Sequence, residues 1–558
     1  MSRKGSDNKI QKLDFSDDFL LNSVEKRLQA GDYYGALVML NKRNKMYDNT
    51  CDASVLAADI YEGLGIYGQA IDAWFHFLDT CNEADFGEGY EGLAVTYMNM
   101  GCEAQSAFYY HKMLQADGGN AEEGKLDFFN FFSAEKKPDL RLVHSVDGLD
   151  NDDVISRGVK FVKEGNLKKA REEFKTATEN SPHYATAVGL SAMCSLMLGE
   201  KEAAYRDCAE VVERYPEDVQ LLTTYCAVLG EMDEKERAKE IARKLAQLDV
   251  ENADDLYKVV SALCETGLDK EAFFALEKLR KHLPNDKNVL YFYAVAAYRT
   301  GKREEAIDAL DRVCTLYPRS AVAEYYLMRM REEEDGGATP STNYVYCIPE
   351  EERKAILSFL KKADDASEEQ LRLIAELPEL LEFFRIAFDN RDGGDTDLQI
   401  LAASVAVKCR YDNFLRDALL NYEGNDYVKF YILNELTVRN EDNSFGTVIC
   451  NLYKEYFVHK INVGGKMKKP FMQAFAEVYS KFALLGDEYE RKICTAGENV
   501  YRALANEGAW DCMTETDALA AVIYREARLR RGERGIAKIC ELFGAKRLVV
   551  QQILDYIL

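Results

Sequence analysis

The stretch Asn151–Tyr184 reads NDDVISRGVKFVKEGNLKKAREEFKTATENSPHY, and its pattern returns every 34 residues as far as Pro318. A turn residue recurs at this spacing, and an alanine follows it five residues later. The turn residues are Gly165, Gly199, Asp233, Gly267 and Gly301, and the alanines are Ala170, Ala204, Ala238, Ala272 and Ala306. A period of this length is typical of a helix-turn-helix solenoid. We therefore expect an all-α array of stacked helix pairs.

The same frame extends toward the N-terminus. Gly31 is followed by Ala36 and Gly65 by Ala70, and a third unit follows after an insertion of two residues. Eight complete units result, starting at Asp17, Cys51, Gly87, Asn151, Ala185, Val219, Ala253 and Lys287. A ninth first helix is predicted from Ala321 to about Glu333.

These units resemble tetratricopeptide repeats. The family places small residues at positions eight and twenty, which are Gly158 and Ala170 in the fourth unit, and large apolar residues at eleven and twenty-four, which are Phe161 and Phe174. Small residues let two antiparallel helices approach closely, and the aromatic rings fill the seam between them. The resemblance implies a right-handed solenoid of about eight repeats, followed by a C-terminal helical domain.

Breaks in the frame suggest the domain organisation. We predict a flexible tail over 1–16, repeats 1–3 over 17–118, and repeats 4–8 with a terminal helix over 151–335. The aromatic-rich segment 119–150 either bridges the two halves or forms a docking patch. Glycines and prolines over 336–350 indicate a linker. Residues 351–558 are predicted to form an all-helical domain that loosely resembles HEAT-type repeats.

The chain of 558 residues carries 71 basic and 96 acidic residues, a formal net charge of −25. Such an acidic surface disfavours binding to nucleic acids and anionic membranes, and it suits basic partners. No run of about 18 apolar residues is present, and the residues after Met1 lack the apolar core of a signal peptide. We therefore expect a cytoplasmic protein without membrane attachment.

No group of residues indicates catalysis or a cofactor. The 14 cysteines form no C-x-x-C pair and the 6 histidines have no metal-ligand spacing, so free structural thiols are expected. Gly87–Gly92 spells G-x-G-x-x-G, but the strand that a dinucleotide site needs is not indicated before it. Gly464–Lys469 lacks phosphate-loop spacing. We predict a non-enzymatic protein without metal or cofactor.

The family resemblance implies which residues line the concave surface, since positions two, five, nine, twelve and thirteen of the first helix usually do so. In units one to three these positions include the acids Asp18, Glu25, Asp52, Asp59, Glu62, Glu88 and Glu91. In the last two units they are Tyr291, Tyr298, Arg299, Tyr325 and Arg329. The acidic set is suited to a basic peptide, and tyrosine and arginine are typical of interface hot spots. The lysine and asparagine that some relatives use against a carboxylate are replaced by Ile155 and Val159.

Two functional hypotheses follow from this pattern. The first is a scaffold or adaptor that binds polypeptide segments in its concave grooves. The second is a peptide-responsive regulator whose C-terminal helix-turn-helix, Ile536–Ile557, contacts DNA. Eight basic residues lie in or near that segment: Arg525, Arg528, Arg530, Arg531, Arg534, Lys538, Lys546 and Arg547. Its second helix is mostly apolar, which favours a terminal cap for the helical domain.

Overall fold

The computed structural model describes residues 16–116, 154–163, 166–334, 336–389, 396–439, 444–449, 451–457, 469–482, 487–509, 515–527 and 536–557. The chain divides into two compact units, residues 1–132 and 133–558. Several sequence predictions lie outside the described residues: the tail before Ser16, the segment 119–150, the glycines at 464–465, and the arginines at 528, 530, 531 and 534.

The first unit contains three helix pairs. Its helices are α1 Asp17–Gln29, α2 Tyr33–Asn44, α3 Cys51–Gly63, α4 Tyr67–Thr80, α5 Phe86–Asn99 and α6 Glu103–Ala116. The side chain of Ser16 accepts a hydrogen bond from Phe19 N, so the predicted N-cap starts α1. Gly31, Gly65 and Gly101 have φ between 72° and 74°, the left-handed conformation that ends each first helix. The glycine of the repeat pattern therefore ends the first helix of each pair in this unit.

The second unit begins with the remaining repeats. Their helices are α7 Val154–Lys163, α8 Leu167–Phe174, α9 Tyr184–Met197, α10 Lys201–Val211, α11 Val219–Glu231, α12 Lys235–Gln247, α13 Ala253–Thr266, α14 Asp269–His282, α15 Lys287–Arg299, α16 Arg303–Leu316 and α17 Ala321–Glu334. First helices also pack on the next first helix, as α9 does on α11 and α11 on α13. This stacking makes the repeats one continuous array.

Two positions show why the repeat pattern folds in this way. A Cβ built on Gly158 would lie 2.1 Å from a ring carbon of Phe174, so only glycine lets α7 approach α8 this closely. Asp233 replaces glycine at the turn between α11 and α12 and keeps a φ of 60°. Aspartate tolerates this left-handed conformation better than most residues, which explains how the sixth unit is retained. The predicted helix-turn-helix solenoid is confirmed.

The C-terminal region is mostly helical, as predicted. Its helices are α18 Glu350–Asp364, α19 Glu368–Ala375, α20 Glu379–Asp389, α21 Thr396–Lys408, α22 Asp412–Leu420, α23 Asp426–Val438, α24 Lys469–Phe482, α25 Asp487–Asn506, α26 Thr516–Ala527, α27 Ile536–Phe543 and α28 Arg547–Ile557. Helices α24 to α28 share an apolar core around Val500, Leu519 and Ile553. Among the described helices, none is both long and apolar enough to cross a bilayer.

One β-hairpin interrupts these helices, and the sequence reading did not predict it. Strands β1 Ser444–Ile449 and β2 Leu452–Phe457 pair antiparallel, with Ser444 opposite Phe457. Asn451 occupies the turn with a φ of 64°. Lys429 of α23 donates to the carbonyl oxygen of Val448 at 2.5 Å, which ties the buried strand to the helices.

The segment proposed to contact DNA forms two helices around a turn. Gly544, with a φ of 66°, separates α27 from α28. Ile539, Val550 and Ile553, predicted as core positions, are buried in the cluster that α26 shares. The pair packs on the C-terminal core as a terminal cap would.

Candidate functional site

Two sets of residues correspond to the predicted binding surfaces. The acidic face comprises the seven predicted carboxylates on α1, α3 and α5. The tyrosine-arginine face comprises Tyr291, Tyr298 and Arg299 on α15 and Tyr325 and Arg329 on α17. The first set lies in the first compact unit and the second set in the other.

The acidic face is largely exposed to solvent. Six of its carboxylates are exposed, and Glu62 is half-buried. Helices α3 and α5 together contain five acids (Asp52, Asp59 and Glu62, then Glu88 and Glu91) and no basic residue. Carboxylates this dense repel one another unless cations or salt screen them.

Asp59 and Glu62 form the centre of the acidic face. They are three residues apart and therefore neighbours on the surface of α3. Partial desolvation, and then the charge of Glu62, raises the pKa of Asp59 above its ordinary value of 3.8. The buried hydroxyl of Thr96 on α5 donates to Glu62 Oε1, so this carboxylate is held where two repeats meet. Within the described residues, no ion pair reaches Asp59 or Glu62.

Two arginines of the first unit pair with acids outside the predicted set. Arg43 is fully buried and donates to both carboxylate oxygens of Asp17, at 2.6 and 2.9 Å. This hydrogen bond, with the positive charge of Arg43, lowers the pKa of Asp17. Arg27 pairs with Asp32 at 2.6 Å, at the turn between α1 and α2. These cations stabilise the fold and leave the centre of the acidic face uncompensated.

The tyrosine-arginine face has a different environment, because most of its side chains already have protein partners. Tyr291 is 0% exposed. Tyr298 donates to Glu333 Oε2 at 2.7 Å, and burial followed by this bond raises its pKa to about 12. Arg299 donates to Asp269 Oδ1 at 3.3 Å. Tyr325 donates to Glu352. Arg329, by contrast, is 47% exposed and pairs only with exposed carboxylates among the described residues.

A segment of the chain covers this face. Residues 338–348, which we call the strap, follow α17 in an irregular conformation that is neither helix nor strand. Thr342, Tyr346 and Ile348 are buried, whereas Ser341 and Val345 are exposed. This alternation is that of an extended chain with one side against the repeats. The predicted linker is therefore a packed segment within the second compact unit.

The repeats hold the strap mainly through its backbone carbonyl groups. The Tyr291 hydroxyl lies 3.1 Å from the carbonyl oxygen of Asn343 and 3.3 Å from that of Val345. Arg299 donates to the carbonyl oxygen and to the hydroxyl of Thr342. Tyr326 donates to the carbonyl oxygen of Cys347 at 2.9 Å. Three side chains of α15 and α17 thus donate to the strap backbone, since Tyr291 has one hydroxyl proton for its two neighbouring carbonyls.

Two tyrosines of the strap insert between the repeats. The Tyr344 ring lies 6.2 Å from that of Phe292 and 4.9 Å from the guanidinium carbon of Arg299. Its hydroxyl donates to Asp269 Oδ1 at 2.9 Å. The Tyr346 ring lies 4.8 Å from that of Tyr291 in an edge-to-face contact.

A buried polar cluster fixes the C-terminal end of the strap. Asp389, at the end of α20, accepts from Lys287 Nζ at 2.8 Å. Its other oxygen accepts from the Tyr346 hydroxyl and from Val322 N, each at 2.9 Å. The Lys287 and Asp389 side chains are only 7% and 3% exposed. This cluster joins the last repeats, the strap and the C-terminal helices.

An open cleft of about 460 Å³ lies at the other end of the strap. Tyr325 and Arg329 line one wall, and Pro340 and Ser341 of the strap line another. Glutamates at the start of α18, Glu350 to Glu352, complete it. The strap therefore closes one half of the tyrosine-arginine face and leaves the other half accessible.

The structure thus brings Tyr291, Tyr298 and Arg299 together around the strap and its neighbours, and it places Tyr325 and Arg329 at the cleft. The sequence reading did not identify the strap side chains or Asp389 as parts of this surface. The alternation in Thr342-Asn-Tyr-Val-Tyr346 was a signal for an extended packed segment.

The described residues contain no group of three metal-ligating side chains. Burial raises the pKa of the Cys208, Cys226 and Cys314 thiols to about 12, so they are protonated at neutral pH.

Comparison with a family model supports the assignment of the repeats. Residues 157–219 and 274–321 match the model described as tetratricopeptide repeat. Neither match extends beyond residue 321, so the C-terminal region has no family assignment. No curated protein matches the chain at a significant level.

Several solved structures are similar to parts of the chain. A tetratricopeptide repeat protein from Parabacteroides merdae is 14% identical, covering 45% of this chain and 97% of its own, with a TM-score of 0.27. The TPR2AB domain of yeast Sti1, in a complex with pHSP90, is 15% identical, covering 48% and 97%, with a TM-score of 0.20. The human IFIT1 dimer with PPP-AAAA is 13% identical, covering 76% and 94%, with a TM-score of 0.24.

Proposed function

We propose that this chain, a tetratricopeptide repeat protein, is a non-enzymatic scaffold whose acidic face binds a basic segment of a partner protein. Solenoids present extended surfaces made of equivalent positions in successive repeats. Here those positions carry carboxylates on α1, α3 and α5. A segment with several lysines or arginines complements this charge.

The observation that supports the proposal best is the centre of the acidic face. Asp59 and Glu62 are adjacent like charges without a basic partner among the described residues, and Thr96 fixes Glu62 in place. Desolvation and the charge of Glu62 raise the pKa of Asp59, so its ionised form is disfavoured in the free protein. A lysine or arginine placed between the two carboxylates would favour the ionised form of Asp59. A bound cation therefore offsets the repulsion between these two carboxylates.

The proposal can be tested with a fluorescein-labelled peptide of alternating lysine and alanine, titrated with the intact chain at low salt. We expect binding, because exposed charges attract one another strongly when they are not screened. The Asp59→Asn/Glu62→Gln variant should bind about tenfold more weakly, since each exposed pair contributes up to about 1 kcal/mol. Fluorescence anisotropy measures the dissociation constant.

The matched control is Glu83→Gln/Asp85→Asn. It removes the same two charges from exposed residues of the first unit, in the 3-10 turn before α5. We expect its affinity to stay within about twofold of the original chain. If both variants bound the peptide equally weakly, binding would depend only on the net charge of the protein. That result would contradict a binding site on the acidic face. An alternating glutamate and alanine peptide should not bind.

A further inference from the structure

The strap occupies the tyrosine-arginine face in the manner of a bound peptide. We propose that this face is a second polypeptide-binding groove, which the chain keeps closed with residues 338–345 of the strap. A partner segment of similar chemistry opens it by replacing those residues. This inference concerns the second compact unit and does not depend on the acidic face.

The contacts to the strap are of a kind that another polypeptide could make. Tyr291 and Arg299 are directed at backbone carbonyl oxygens, which every extended segment carries. The hydroxyl of Thr342 also accepts from Arg299 Nε at 3.3 Å. The exposed side chain of Val345 contributes little, since it is 54% exposed. Recognition therefore depends on an extended backbone and on the side chains at alternate positions.

The site of Tyr344 defines what a competing segment must offer. Asp269 accepts a hydrogen bond from the Tyr344 hydroxyl at 2.9 Å, while Arg299 and Phe292 contact the ring. A phenylalanine would leave Asp269 without this donor, and an aliphatic side chain would lose the contacts with both neighbours. The preferred occupant is therefore an extended segment with a hydroxyl residue two positions before a tyrosine, as in Thr342-Asn-Tyr344.

The two ends of the strap are held unequally, which makes a partial exchange possible. Tyr346 is bound to the buried cluster of Lys287 and Asp389, whereas Ser341 is exposed beside the open cleft. A partner segment can enter at the cleft, contact Tyr325 and Arg329, and then replace residues 338–345 in sequence. Tyr346 and Ile348 stay in place, so the last repeats remain joined to the C-terminal helices.

A tethered strap competes strongly with a segment in solution. Short flexible tethers give effective concentrations of about 1 mM, so a free peptide of moderate affinity cannot bind measurably to the closed groove. Its apparent affinity falls in proportion to the fraction of open molecules. A partner must therefore make additional contacts, or the strap must first be weakened.

The experiment uses the intact chain and a fluorescein-labelled peptide with the sequence of residues 338–345, ATPSTNYV. The release variant Thr342→Gly/Tyr344→Gly removes two strap side chains that contact the groove and leaves every groove residue unchanged. We expect the labelled peptide to bind this variant at least about tenfold more tightly than the original chain. Adding Arg299→Ala to the release variant should abolish that gain, because the carbonyl of residue 342 in the peptide loses its donor.

The matched control is Val345→Gly, which increases the flexibility of the same segment but removes a side chain that faces solvent. It should bind the peptide no better than the original chain. If the release variant does not fold, as judged by circular dichroism, the single change Tyr344→Ala takes its place in the same titration. A folded release variant that fails to bind the peptide, or an original chain that binds it equally well, would overturn the proposal.

Discussion

The acidic face and the tyrosine-arginine face occupy corresponding positions of different repeats but differ in whether those positions are covered. On α3 and α5 four of the five carboxylates are exposed, and Glu62 is half-buried. On α15 the strap covers Tyr291 and Arg299. Position within a repeat therefore determines the direction of a side chain, and the segments that follow the repeats determine whether a ligand can reach it.

The chemistry of each face agrees with its environment. Carboxylates are strongly hydrated and tolerate exposure at little cost. Tyrosines bury a large ring and keep a hydroxyl that needs a partner, which the strap carbonyls supply to Tyr291. An exposed acidic surface is thus suited to a partner in solution, whereas a tyrosine-rich surface is stable only when something covers it.

The largest expected effect comes from removing the cluster that holds the strap. Asp389→Ala leaves Lys287 buried without its carboxylate, and Tyr346 and Val322 lose their acceptor. We expect a loss of about 3–5 kcal/mol in the unfolding free energy of the second unit, as for other broken buried pairs. Urea unfolding, with hydrogen exchange of the α15 amides as the readout, measures this loss. The exchange of the α3 amides in the first unit should not change.

A control for this change is Asp311→Ala. Asp311 pairs with Arg331 at 3.0 Å, and the two side chains are 54% and 53% exposed. Exposed pairs contribute about 0–1 kcal/mol, so this variant should change little. If Asp389→Ala costs no more than Asp311→Ala, the buried cluster does not hold the strap in place.

Much of the repeat architecture could be predicted from the sequence, because it depends on local rules. Gly65 and Gly301 take the left-handed turn and Gly158 permits the close helix contact, each within one unit. The hairpin at Ser444–Phe457 was missed, since β-pairing joins residues that are not close in the helical pattern. The packing of the predicted linker was missed because most of its partners lie more than 40 residues away, as with Arg299 and Thr342.

A smaller loss of unfolding free energy is expected for the arginines of the tyrosine-arginine face, and it should differ between Arg299 and Arg329. Arg299→Ala removes charge-assisted hydrogen bonds to Thr342 and Asp269. The expected loss of unfolding free energy is about 1.5–3 kcal/mol. Arg329→Ala should change it by less than about 0.5 kcal/mol, because that side chain is 47% exposed. Urea unfolding of both variants measures the difference, and equal losses would show that the strap does not depend on Arg299.

The smallest expected change in unfolding free energy comes from Asp59 on the acidic face, and the direction of its pKa shift gives the sign of that change. The pKa of Asp59 is raised in the folded chain, so the folded state binds a proton more readily than the unfolded state as the pH falls through that range. The ionised carboxylate is therefore unfavourable at neutral pH, and Asp59→Asn should stabilise the first unit by up to about 0.5 kcal/mol. This gain should vanish below the ordinary pKa of aspartate, where both chains are neutral at this site.

Asp17→Asn should instead destabilise the first unit at neutral pH, because Arg43 lowers the pKa of Asp17 and that stabilisation is lost as the pH falls. Chemical denaturation at several pH values distinguishes them, and the same sign for both aspartates would contradict the division between an uncompensated acidic face and a paired structural carboxylate.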